Sequence, residues 1–126
     1  MKHVVHTDHA PKALGPYSQA IKANGMVFCS GQVGLNPTTG EFAGNDVSTQ
    51  CKQVMENLKA VLSQAGSGFD QVVKTSIFLA DMNDFATVNE IYGSYFSHDY
   101  PARETVAVKT LPKNALVEIS VIALVN

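Results

Sequence analysis

The chain is 126 residues long, enough for one packed core and too short for two domains. Apolar residues make up 45% and charged residues 16%, which excludes an intrinsically disordered chain. Nine basic against eleven acidic side chains leave a net charge of −2, which argues against a protein whose main task is to coat nucleic acid or an anionic membrane.

The chain starts MKHVVHTDHAPKALGPY, a stretch that reads as extended or irregular and has no apolar signal-peptide core. His3, His6 and His9 recur every third residue, which is no helical ligand pair, and only Asp8 joins them, so no metal site is expected. Residues 17–23 and 26–32 flank Asn24-Gly25, the signature of a hairpin with a tight turn. In residues 47–65, Val47, Cys51, Val54, Met55, Leu58, Val61, Leu62 and Ala65 fall on one helical stripe. Asn45 or Asp46 can cap that helix, and Gly66 can end it in a left-handed residue.

Residues 71–80 alternate as a strand, with Val73, Thr75, Ile77 and Leu79 on one side. A second helix follows Asp81 to Asn83, its apolar side carrying Phe85, Val88, Ile91, Tyr92, Tyr95 and Phe96, and Pro101 stops it no later than Tyr100. Strands at 103–110 and 116–125, joined across LPKNA, complete the chain. This order predicts a single α+β domain over 1–126 with two helices on one face of one sheet. The other face is left open. In the last strand Val117, Ile119, Val121, Ala123 and Val125 point to the helices, while Glu118, Ser120, Ile122 and Leu124 point away. A face carrying Ile122 and Leu124 calls for an oligomer through the sheet, or for the N-terminal segment to fold over it.

Arg103 is the only arginine beside eight lysines. Its planar fork suits a carboxylate or phosphate held by two parallel hydrogen bonds; the alternative is a solvated arginine at a strand end. Glu118 interrupts the apolar run VEISVIALV, so it is either a partly desolvated proton acceptor or a salt-bridged strand residue. Asn89 falls on the apolar stripe of the second helix, four residues after Phe85 and three before Tyr92, where its amide needs a partner or ties the helix to a loop. Cys29, in MVFCSG, reads as core rather than nucleophile. Cys29 and Cys51 are spaced as neither a metal knuckle nor a redox pair, no apolar run reaches the ~18 residues of a membrane span, and a cytoplasmic protein with reduced thiols is expected.

The segments HAPKALGPYSQA, CSGQV, NPTTGE, DMNDFATVNEIY, PARETV and LPKNALVEISVIAL, in that order over nearly the whole chain, resemble the YjgF/RidA family. The resemblance implies a chorismate-mutase-like fold assembled as a homotrimer with clefts between subunits. It implies hydrolysis of 2-aminoacrylate and of the imines 2-iminopropanoate and 2-iminobutanoate to 2-keto acids and ammonia, with no cofactor. On this resemblance Arg103 holds the substrate carboxylate and Glu118 positions or activates the attacking water. Tyr17, Ser30, Gly31 and Asn89 line the cleft.

The chain departs from the pattern twice. Many relatives read Arg-Ser-Cys where this chain has Arg103-Glu104-Thr105, and glutamate where it has Ser120. If position 105 binds the imine nitrogen through its backbone carbonyl, threonine serves as well; if the thiol matters, activity falls or the substrate range shifts. Two other functions compete. One is a single-strand endoribonuclease, which the charge of −2 and the lone arginine do not favour. The other is a regulatory module that binds a small carboxylate without turning it over.

Overall fold

The computed structural model describes residues 1–125 and contains six strands and two helices. They are β1 (His3–Val5), β2 (Ala20–Ala23), β3 (Met26–Val33), α1 (Val47–Gln64), β4 (Val72–Leu79), α2 (Phe85–Gly93), β5 (Ala102–Ala107) and β6 (Val117–Leu124). One mixed sheet runs in the order β1-β2-β3-β6-β4-β5. Every pairing is antiparallel except β4 with β5, whose parallel alignment follows from the crossover through α2.

The hairpin forms at Asn24-Gly25, with φ of 51° and 73°, the left-handed pair that a two-residue turn needs. Its first strand is shorter than expected. Tyr17 to Gln19 stay outside β2, because the Tyr17 amide turns back to the Gly15 carbonyl at 2.9 Å. Buried Gln19 instead holds the N-terminal segment, accepting from the Thr7 amide at 2.7 Å and donating to the Pro11 carbonyl at 2.8 Å. That segment contributes β1 to the sheet edge, a strand that the sequence did not reveal.

Asp46 caps α1, accepting from the Thr49 amide at 2.9 Å, and Gly66 takes φ 83° just past its end. The buried stripe of α1 is the expected one, from Cys51 through Val54, Met55, Leu58, Val61 and Leu62. The helix fits closely because Gly34 lies under it, where a Cβ would stand 2.7 Å from the Gln50 backbone. Buried Asn57 donates to the Leu35 carbonyl at 2.9 Å, so the loop after β3 is fixed to α1.

Two expectations need correction. Val73 is exposed rather than aligned with Thr75, Ile77 and Leu79, since a register shift between Val72 and Lys74 turns Val72 inward in its place. The second helix ends at Gly93, short of Tyr95 and Phe96. The Tyr95 and Phe96 amides bond three residues back, to Tyr92 and Gly93, and their rings form a cluster with Phe69. The last two strands span 102–107 and 117–124, the first starting one residue earlier and ending three sooner than expected, the second one residue shorter at each end.

In β6, Val117, Ile119, Val121 and Ala123 are buried toward the helices, as expected. The opposite face has no cover among the described residues. Val4, Ile21, Phe28 and Ile122 form one row across β1, β2, β3 and β6, and Phe28, Val106 and Leu124 are each more than 40% exposed. The N-terminal segment lengthens the sheet edge through β1 and borders this face near Glu118, leaving Phe28, Val106 and Leu124 exposed. No helix among the described residues is long and apolar enough to cross a membrane.

Candidate active site

Strand register decides where the candidate residues lie. Arg103 pairs with Thr75, which is buried on the helix side, and Thr105 pairs with Ile77 on the same side. Glu118 pairs with Phe78, and Ser120 with Ser76, on the open side. Side chains directly opposite in a sheet share a face, so Arg103 and Glu118 of one chain stand on opposite faces. They line two separate cavities, each a candidate half-site.

The first half-site is built around Arg103 at the sheet edge. Its Nη1 donates to Asn89 Oδ1 at 2.7 Å, and its guanidinium carbon lies over the rings of Tyr92 and Phe85, 5.3 and 5.7 Å from their centroids. Arg103 forms no ion pair among the described residues, so no acidic side chain there offsets its charge. Tyr100, Pro101 and Gly93 complete a cavity of about 440 Å³ beside it. Asn89 is therefore not the buried amide that its stripe suggested. It is exposed, and its partner is the arginine.

The second half-site is a cavity of about 520 Å³ lined by Tyr17, Ser30, Gly31, Glu118, Lys12 and Lys113, among others. Glu118 is half-buried, and burial pushes its carboxyl above the ordinary value of 4.5. A bulge in β3 shapes this floor: between Cys29↔Val121 and Gln32↔Ile119, Ser30 and Gly31 together oppose the single Ser120. Ser30 Oγ donates to the Ser18 carbonyl at 2.6 Å, tying the bulge to the segment that carries exposed Tyr17. A Cβ on Gly31 would stand 2.8 Å from Glu118 Cδ, so any larger residue there makes the carboxylate shift. The carboxylate lies directly against the glycine backbone.

Thr105 stands apart from both cavities. Its hydroxyl is shut off from solvent and has no hydrogen-bond partner among the described residues. Cys29 is buried in the core, its thiol pushed up to about 12, as suits packing rather than nucleophilic attack. No group of three or more His, Cys, Asp or Glu among the described residues is placed to hold a metal ion.

A family model described as Endoribonuclease L-PSP matches residues 7–125. The chain belongs to this family, the YjgF/RidA proteins. It is 54% identical to Reactive Intermediate Deaminase A, chloroplastic, of Arabidopsis thaliana, over 97% of this chain and 65% of that protein. It is 47% identical to the 2-iminobutanoate/2-iminopropanoate deaminase of Mus musculus, over 98% of this chain and 91% of the relative. Among solved structures, a protein of the conserved Rid family from Yersinia pestis superposes with a TM-score of 0.97 at 52% identity, covering 99% and 100% of the two chains. TdcF of E. coli with bound serine gives 0.94 at 40% identity, covering 98% and 99%. The mixed sheet with two helices on one face is the fold of these proteins.

The sequence did not reveal that the Phe85 and Tyr92 rings lie against Arg103, or that Lys12 and Lys113 line the same cavity as Glu118. The stripe Phe85, Asn89, Tyr92 was visible, but its spacing alone reads as core.

Proposed function

We propose that this chain hydrolyses small 2-imino acids to 2-keto acids and ammonia, in clefts formed where the Arg103 half of one subunit meets the Glu118 half of another. The observation that carries this reading is the pair of half-sites. An uncompensated arginine and a desolvated carboxylate lie on opposite faces of one sheet, and the open apolar face gives copies of the chain a surface to meet on. A homotrimer, as the family resemblance implies, supplies such meetings with closed symmetry.

The chemistry needs little more. Arg103 would take the substrate carboxylate through its guanidinium nitrogens not bonded to Asn89. The imine carbon is already electrophilic, so orientation and a positioned water suffice. Glu118 accepts a proton from that water as its oxygen attacks C2, giving a tetrahedral carbinolamine. The carboxyl returns that proton to nitrogen, then as the carboxylate takes the hydroxyl proton and delivers it to nitrogen as well, so that the C–O double bond forms, the C–N bond breaks, and ammonia leaves with the keto acid. In sum, one imine and one water give one ketone and one ammonia. Raising the Glu118 pKa suits it to both transfers.

Keto-acid release tests the proposal, with 2-iminopropanoate and 2-iminobutanoate generated in place by a serine/threonine dehydratase and semicarbazide competing for the imine. We expect the wild type to accelerate release and Arg103→Ala and Glu118→Ala to fall to the spontaneous rate. A wild type that matches the no-protein control overturns the enzymatic reading. A second reading, binding of a small carboxylate without turnover, draws on TdcF of E. coli, whose structure carries serine. Saturable 2-keto acid binding without acceleration would favour it.

A further inference from the structure

We propose that α2 acts as a positioning platform for Arg103, with Phe85, Asn89 and Tyr92 holding its guanidinium in one orientation so that its remaining edge faces a planar carboxylate. The three residues are spaced i, i+4, i+7 and so form one stripe of the helix. Arg103 lies across that stripe, over both rings and bonded to the amide between them.

Each contact removes a different freedom. Ring faces attract the flat cation and limit its tilt. The single amide acceptor fixes rotation in the guanidinium plane by taking one Nη1 hydrogen. The Tyr92 ring is itself anchored, since its hydroxyl donates to Thr75 Oγ1 at 3.0 Å, and Thr75 is the register partner of Arg103. The platform is neutral throughout, so it orients the charge without cancelling it. A carboxylate at position 89 would hold the guanidinium as well but would compete with the ligand. Phe85 and Asn89 are thus positioning residues that act through Arg103, and this rests on reading Arg103 as the carboxylate anchor.

Because the chain has one arginine, its Nε–Hε resonance is a single, assigned reporter. In ¹⁵N-labelled wild type we expect this signal to be shifted upfield by the rings and to move on titration with 2-oxobutanoate. In Phe85→Leu it should shift toward the free-arginine position, with KM for 2-iminobutanoate raised about three- to fivefold and kcat within about twofold. Phe85→Tyr should restore both. Asn89→Ala should raise KM about tenfold, and Asn89→Asp, which compensates the charge, should raise it further while keeping the signal restrained. A wild-type resonance at the free-arginine position, or one unmoved by Phe85→Leu and Asn89→Ala, overturns the platform. So does a fall in kcat at constant KM. If wild type binds 2-oxobutanoate without deaminating and the variants weaken that binding with the same resonance changes, the platform stands and the deaminase reading alone fails.

Discussion

Thr105→Val isolates what the hydroxyl at this position does. The Thr105 hydroxyl is sealed from solvent and unpartnered among the described residues, and an unsatisfied buried polar group costs about 1–3 kcal/mol. Valine keeps the branched shape and the strand preference of threonine while removing that group. We expect stability to rise by about 1 kcal/mol, equivalent to about 3–5 °C in Tm for a chain of this size. Melting should be compared at one fixed protein concentration, since assembly contributes to apparent stability. Keto-acid release should stay within about twofold of wild type, because a hydroxyl that no solvent reaches cannot touch a ligand in either cavity. The backbone carbonyl is then the group position 105 offers, and Thr105→Cys should also be active. A drop in Tm would refute the reasoning by showing that the hydroxyl makes a stabilising contact. Unchanged stability with lost activity would show that it takes part in the chemistry.

Glu118→Gln should lower the rate by about 10²–10⁴ and raise Tm near neutral pH, since it removes a charge that burial disfavours. The folded-state pKa of Glu118 lies above its unfolded value, so its contribution to stability is full below about 4.5 and is lost as pH rises through the raised pKa. The rate should run the opposite way and fall as pH drops through that pKa; a rate flat to pH 4.5 would exclude Glu118 as the base. Gly31→Ala should displace the carboxylate, whose Cδ would lie 2.8 Å from the new methyl, and lower kcat about a hundredfold with little change in melting. Wild-type kcat in that variant would show that Glu118 is free to relocate. Arg103→Lys keeps the charge and loses the fork, and should raise KM about tenfold; unchanged KM would mean that a point charge is enough.

The periodic elements were legible because burial imposes their spacing. Cys51 to Leu62 and Val117 to Ala123 appear in the structure on the faces their patterns indicate. What escaped was governed by pairing between distant residues. β1 has three residues and exists through its ladder with β2, so no local period marks it. Val73 depends on a register shift against β6, and the early end of α2 on the packing of Tyr95 and Phe96 against Phe69. For the site, the residue types were visible but their faces were not. A period-2 pattern says that Arg103 shares a face with Thr105 and Glu118 with Ser120; only the pairing of both strands with β4 shows that those faces are opposite. Asn89 was misplaced because an i, i+4, i+7 stripe of Phe85, Asn89 and Tyr92 looks the same whether it covers a core or an arginine.

The central claim, that one active site takes Arg103 from one copy and Glu118 from another, is tested most directly by mixing the two inactive variants. Arg103→Ala and Glu118→Ala would be co-expressed, the mixed oligomer isolated, and keto-acid release measured per chain. With random assembly in equal amounts, a cleft is intact when its arginine comes from the Glu118→Ala chain and its glutamate from the Arg103→Ala chain. About a quarter of wild-type activity should then return in a closed symmetric oligomer. Mixed oligomers that stay at the spontaneous rate, beside an active wild type, would contradict the claim.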